Sequence, residues 1–318
     1  MADIPPFDPD LHDLDQELDE VLAPSRSFMH LDQQYTTFSG SQVVVVPVPY
    51  DASTCYRPGA REGAQAIIDA SRNLELYDAE LRRSPYRVGI HTLRAVEVVM
   101  GAAPAMVDRT ELVTASLLDR GKFVVTLGGD HMTSIGVIRA FARRHPTMTV
   151  LQIDAHADLR DEYEGAKMSS ATIMRRTLEV CPRTAQVGIR SLSEPEAELV
   201  AERNLPLWLA SDIHAQTQRG ERGWIAEVVK ALGDEVYVTI DIDAFDPSLV
   251  PGTGTPEPGG LGWYDVIDLL TAVTASRRVI GFDVVELSPL MDDHVSPVVA
   301  AKLVYKLIGL ALPDAPTA

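Results

Sequence analysis

At 318 residues, 46% of them hydrophobic and 23% charged, the chain can bury one large core and has the composition of a globular protein. A net charge of −18 excludes a nucleic-acid partner, which would need a basic face, and suits a small cationic substrate, although most of that charge serves solubility. No apolar run approaches the ~18 residues that span a bilayer, and no basic start with an apolar core marks a leader; with two isolated cysteines, Cys55 and Cys181, the expected setting is cytoplasmic, without membrane contact.

Residues 1–40 read as an acidic N-terminal extension. Asp3, Asp8, Asp10, Asp13, Asp15, Glu17, Asp19 and Glu20 all precede Arg26, with prolines interspersed. A mobile arm or a short helix over Leu14–Leu22, packing on a neighbour, is the expectation. Residues 41–318 then form one domain without repeats or linkers. Its first strand is the valine run Gln42–Val46, with Pro47 at its end or edge. A loop through Arg57-Pro58-Gly59 leads to a helix over Glu62–Ser71. Further apolar β-runs follow at Phe123–Leu127, Thr149–Ile153, Ala185–Ile189, Val236–Ile240 and Val279–Val285. Helical patterns lie at Val107–Arg120, Ser134–Arg144, Thr172–Val180, Glu194–Arg203, Trp224–Leu232 and Tyr264–Ala275, and the last is Pro297–Leu312. Nearly continuous apolar strands alternating with helices predict an α/β domain whose parallel sheet is covered on both faces.

In such sheets function collects beyond the carboxyl ends of the strands. Four predicted strands end in acids or histidine: Gly128-Gly129-Asp130-His131, Asp154-Ala155-His156-Ala157-Asp158, Asp241-Ile242-Asp243, and Glu286. Residues two apart in an extended chain point the same way, so Asp154, His156 and Asp158 converge, as do Asp241 and Asp243. Buried carboxylates need positive charge among them. Together with His131 they make an oxygen-rich set of six metal ligands without thiolate, suited to Mn²⁺. Six ligands suit two ions with shared carboxylates, at the roughly 3.5–4 Å separation of two-metal sites.

These three motifs resemble the metal motifs of the ureohydrolases, the arginases and agmatinases. Pro49-Tyr50-Asp51 with Arg57-Pro58-Gly59-Ala60-Arg61, Pro251 to Gly260, and Val284-Val285-Glu286-Leu287-Ser288-Pro289 are similar to motifs of the agmatinase-like branch. The resemblance implies a single-domain, three-layer arginase-like fold, α/β, with a mainly parallel sheet flanked by helices. It implies two Mn²⁺ per subunit: His131, Asp154, Asp158 and Asp241 on one ion, and Asp154, His156, Asp241 and Asp243 on the other. Glu286 would hold the substrate's guanidinium, since a carboxylate pairs bidentately with a planar fork of N–H donors. Asp158 would be the catalytic proton carrier. The implied reaction releases urea and an amine, with agmatine to putrescine, in polyamine biosynthesis, as the first expectation. A homo-trimer or hexamer is the implied assembly.

One position departs from the pattern. Ser170, an expected substrate-binding residue, stands where agmatinase relatives with a similar loop carry histidine, and serine cannot shuttle a proton near neutral pH. His214 is one residue that can fill the gap. The alternatives are therefore a guanidinobutyrate-like or formimino substrate, or a metal-binding homologue with weak or no catalysis. The arginase carboxylate-binding run is absent from 162–171. Elsewhere ordinary roles are expected: Gly252-Thr253-Gly254-Thr255-Pro256 is a tight loop at the site mouth, Cys55 packs at the pocket rim, His145 ends a surface helix, and Trp263 and Tyr264 belong to core or interface.

Overall fold

A computed structural model describes residues 27–101 and 103–312. Among these residues eight strands form one sheet: β1 (Val43–Val48), β2 (Ile90–Thr92), β3 (Phe123–Gly128), β4 (Thr149–Ile153), β5 (Thr184–Ile189), β6 (Leu207–Leu209), β7 (Glu235–Asp241) and β8 (Arg278–Val285). The order is β2-β1-β3-β8-β7-β4-β5-β6, and every pairing is parallel. The helices are α1 (Gly63–Ser71), α2 (Ala103–Leu118), α3 (Ser134–Arg144), α4 (Ile173–Val180), α5 (Glu194–Arg203), α6 (Ala210–Gln218), α7 (Gly223–Ala231), α8 (Trp263–Ser276) and α9 (Val295–Ala311).

Alternation along the strands supplies two cores. Val43 and Val45 of β1 pack on one face with Ile67 of α1, Trp224 of α7, Leu270 of α8 and Leu303 of α9. Val44 and Val46 face the other way, toward Met106 of α2, Phe141 of α3 and Met174 of α4. Each such fully buried side chain contributes roughly 1.5–3 kcal/mol. The result is the expected three-layer α/β architecture. Phe28, Met29 and Leu31 are buried in the first core, and the Met29 N–H donates to Ser71 Oγ (2.7 Å) at the end of α1. The helix expected over Leu14–Leu22 lies outside the described residues.

Three elements were not anticipated: the three-residue edge strands β2 and β6, and the polar helix α6. Pro47 does not end β1. It sits one residue before the strand's end, where β2 has already stopped pairing, so its missing donor leaves no ladder gap. Pro297 falls within the first turn of α9, where no intrahelical N–H is needed.

The sheet order positions the site. The chain lays down β3, skips two places to β4, runs outward to β6, and returns to fill the gap with β7 and β8. The carboxyl ends of β3, β8, β7 and β4 therefore lie side by side at the centre of the sheet.

Candidate active site

Those four strand ends carry every residue of the predicted ligand set. His131 Nδ1 lies 3.1 Å from Asp154 Oδ2, 3.3 Å from Asp158 Oδ2 and 3.5 Å from Asp241 Oδ2. His156 Nδ1 lies 3.0 Å from Asp243 Oδ2 and 3.6 Å from Asp154 Oδ1. Two groups have ligand atoms within 4.8 Å of one another, His131–Asp154–Asp241 and Asp154–His156–Asp243, and Asp154 belongs to both. All six are buried except His156, which is half-buried at the cavity wall.

Backbone geometry holds the cluster tightly. Gly129 is required because a Cβ there would fall 1.9 Å from the Tyr50 carbonyl oxygen. Asp158 and Glu286 have left-handed backbones (φ +52° and +62°), a conformation uncommon for non-glycine residues and least costly for aspartate. Hydrogen bonds hold both. The Asp158 carbonyl accepts from the N–H groups of Met174 (2.9 Å) and Arg175 (3.2 Å) in the first turn of α4, and the Glu286 N–H donates to the Gly129 carbonyl (2.8 Å).

A chain of polar side chains orients His131. Thr239 Oγ1 donates its only proton to Asp283 Oδ1 (2.6 Å), so at 2.9 Å from His131 Nε2 it can only accept. Nε2 therefore carries the hydrogen, and the Nδ1 lone pair of the neutral ring points at three carboxylates. Among the described residues, Nδ1 has no hydrogen-bond partner in this buried position. Such an arrangement requires a cation or a proton between the groups, and the donor set, oxygen-rich with two imidazoles, suits divalent metal. The titration behaviour agrees. Burial alone would lower the His131 pKa, but Asp154, Asp158 and Asp241 outweigh it and raise it. Burial and the neighbouring Asp154 charge push Asp158 up to about 7, and burial with Asp243 and Asp154 raises Asp241. Asp154 moves the other way: the two histidines override its burial and lower its pKa.

Glu286 stands at the edge of this cluster. Its Oε1 accepts from Ser170 Oγ (2.7 Å) and from the His131 N–H (2.8 Å), and its Oε2 lies beside Gly254, where a Cβ would be 3.6 Å away. Burial raises its pKa against the pull of those donors. A cavity of about 250 Å³ opens over the cluster, walled by Thr54, Cys55, His156, Asp158, Ser170, Thr255 and Glu286, with Tyr163 and Glu196 also in its lining. The Ser53 hydroxyl and N–H both donate to Asp130 Oδ2 (2.7 and 2.8 Å), and the Ser170 N–H donates to Ser53 Oγ (3.2 Å), which ties the 49–59 loop to the cavity floor.

With this geometry in place, comparison with known proteins is decisive. A model of the arginase family matches residues 41–309. The chain belongs to the arginase family. The N(1)-aminopropylagmatine ureohydrolase of Synechocystis sp. is 41% identical over 281 residues, covering 86% of this chain and 90% of the relative. The agmatinase of Bacillus anthracis is 34% identical over 281 residues, 87% and 94% of the two chains. The crystal structure of agmatine ureohydrolase from Thermoplasma volcanium superposes with a TM-score of 0.83 at 29% identity, over 93% of this chain and 97% of that one. The protein is accordingly an arginase-family hydrolase of the agmatinase-like branch.

Within this arginase-family site several expectations resolve. Ser170 reaches the cavity, but as the donor that fixes Glu286. His214 does not fill its place: it is exposed on α6, with Nε2 2.7 Å from Gln218 Nε2. Cys55 does rim the cavity, where desolvation together with the Glu286, Asp158 and Glu164 charges pushes its thiol up to about 11 and disfavours the thiolate. The Gly254-Thr255 loop borders the site mouth, with Thr255 Oγ1 donating to Asp243 Oδ2 (3.3 Å). His145 ends α3 and pairs with Glu235 (3.1 Å), while Trp263 stacks on Phe245. Sequence reasoning missed the supporting residues Thr239, Asp283 and Gln152, whose Nε2 donates to Asp154 Oδ2 (2.6 Å). Their signal was a lone polar residue inside an apolar strand, at even spacing from a ligand in Gln152 and Thr239.

No helix among the described residues is long and apolar enough to cross a membrane.

Proposed function

We propose that the protein hydrolyses the guanidino group of a cationic aminoalkylguanidine, releasing urea and an amine, with two Mn²⁺ per subunit held by the six-residue cluster. His131, Asp154, Asp158 and Asp241 would hold one ion, and Asp154, His156, Asp241 and Asp243 the other. When bound, the pair supplies Lewis acidity and brings the pKa of water toward neutrality. The protein's own groups do the rest. Glu286 offers the guanidinium a carboxylate whose Oε1 is already fixed by Ser170 and the His131 N–H, so the fork of donors meets a preset plane. Asp158, which lines the cavity beside His131, is the group placed to pass a proton to the leaving nitrogen. The supporting observation is the placement of Glu286 and the cluster on one cavity at four adjacent strand ends.

Agmatine and its N1-aminopropyl derivative share this guanidino end and differ in the length of the cationic tail. The 41% identity to an aminopropylagmatine ureohydrolase, against 34% to an agmatinase, favours the longer substrate, which would leave a triamine where agmatine leaves putrescine. Comparing kcat/KM for urea release from agmatine, N1-aminopropylagmatine and guanidinobutyrate tests this; preference for guanidinobutyrate, a zwitterion whose tail ends in a carboxylate, would overturn it. We further take the enzyme to be a cytoplasmic homo-trimer or hexamer with residues 41–318 as its catalytic domain, which sedimentation of the native protein checks.

A further inference from the structure

The segment 253–257 crosses the site mouth beside the His156–Asp243 half of the cluster. Thr255 engages Asp243, and the Glu257 carboxylate faces His156 Nε2 at 4.0 Å, just outside direct hydrogen-bond range. Arg190, the residue after β5, holds the segment in place. Its guanidinium donates to the Glu257 carbonyl through Nη2 (2.7 Å) and Nε (3.2 Å), and to the Asp243 carbonyl through Nη2 (2.7 Å). Weaker contacts reach the carbonyls of Ala244 (3.3 Å) and Gly188 (3.2 Å). Among the described residues no carboxylate pairs with Arg190. A planar five-donor fork is thus spent on carbonyls, joining the strand that precedes it, the Asp243 turn and the Glu257 segment.

Building on the two-ion reading above, we propose that Arg190 and Glu257 are positioning residues for the His156–Asp243 half of the cluster. An imidazole that offers Nδ1 to a metal carries its hydrogen on Nε2, and a carboxylate facing Nε2 favours that tautomer and ring orientation. Glu257 is the carboxylate in that position, and Arg190 holds its main chain and that of Asp243 at once. The other half needs neither residue, since Thr239 and Asp283 orient His131 from beneath. Loss of Glu257 or Arg190 therefore strikes one ion and spares the other.

The test is calorimetric titration of chelator-stripped protein with Mn²⁺. The wild type takes up two ions; Glu257→Ala and Arg190→Lys keep one at wild-type affinity and bind the other about 10- to 100-fold more weakly, the usual cost of removing a ligand's outer partner. Glu257→Gln, which keeps an acceptor oxygen, recovers part of the loss, a rescue that a general packing role does not predict. Glu257 is partly exposed, so its variants fold even if Arg190→Lys does not. Two ions bound unchanged in Glu257→Ala, or both weakened equally, would overturn the proposal alone. Fewer than two ions in the wild type would overturn the underlying reading and the proposal with it.

Discussion

Replacing Glu286 with glutamine isolates the guanidinium grip from the metal cluster. The amide keeps the shape of the side chain, and its oxygen can still accept from Ser170 Oγ and the His131 N–H. The other side of the group changes in two ways: the charge disappears, and an NH₂ donor faces a guanidinium that is itself only a donor. Removing one partner of a buried, hydrogen-bonded charge pair costs about 2–5 kcal/mol. Because one oxygen of the carboxylate is committed within the protein, a value of about 3–4 kcal/mol is expected. At 1.36 kcal/mol per decade this is a roughly 100- to 1000-fold fall in kcat/KM. The assay is steady-state urea release by metal-loaded enzyme, with bound metal counted in parallel. Glu286 is outside the six-residue set, so metal content stays at the wild-type value. A loss under tenfold at full occupancy would refute the role given to Glu286.

Three further outcomes follow from the same geometry. Ser170→Ala removes one hydrogen bond to a charged acceptor, worth about 1.5 kcal/mol, and should lower kcat/KM roughly tenfold; a change under twofold would show that Glu286 needs no such support. In chelator-stripped protein, Asp158 (pKa about 7) and the raised Asp241 hold protons that the unfolded chain releases near pH 4, so between about pH 4 and 7 these two groups make the fold less stable as pH rises. The stripped protein should melt higher at pH 5 than at pH 8, with Mn²⁺ removing the difference; a stripped protein that melts higher at pH 8 would contradict this. Lys306→Met leaves the buried Asp78 carboxylate without its 2.8 Å partner and should destabilise the fold by about 3 kcal/mol, read from denaturant midpoints; a loss under 1 kcal/mol would show that its backbone donors and Lys302, 3.9 Å away, satisfy Asp78.

The strands that matter most were also the easiest to read. β3, β4, β7 and β8 are buried on both faces, so their sequences are continuous apolar runs that stop at the site. The edges were illegible for the converse reason. Ile90-His91-Thr92 and Leu207-Trp208-Leu209 are too short to show a period, and α6 buries little beyond Ala210 and Ile213. The ligands were legible because spacing of two along an extended chain is a local property. Their supports were not, because they depend on which strands are neighbours. Asp283 lies in register with Thr239 only because β8, the last strand in the chain, inserts beside β7 at the centre of the sheet. Ser170 illustrates the same limit. Its place in the loop was visible, but its bond to Glu286, 116 residues away, exists only in the fold.

On the proposed function, the cluster and Glu286 act together as one guanidino-hydrolysing site. The most direct measurement is urea release from N1-aminopropylagmatine by protein carrying two Mn²⁺ per chain, set against the same preparation stripped by chelator and then reloaded. One urea per amine formed, loss of turnover on stripping and its return on reloading are the expected results. Turnover that survives complete removal of the metal, or nitrogen released as ammonia without urea, would contradict it.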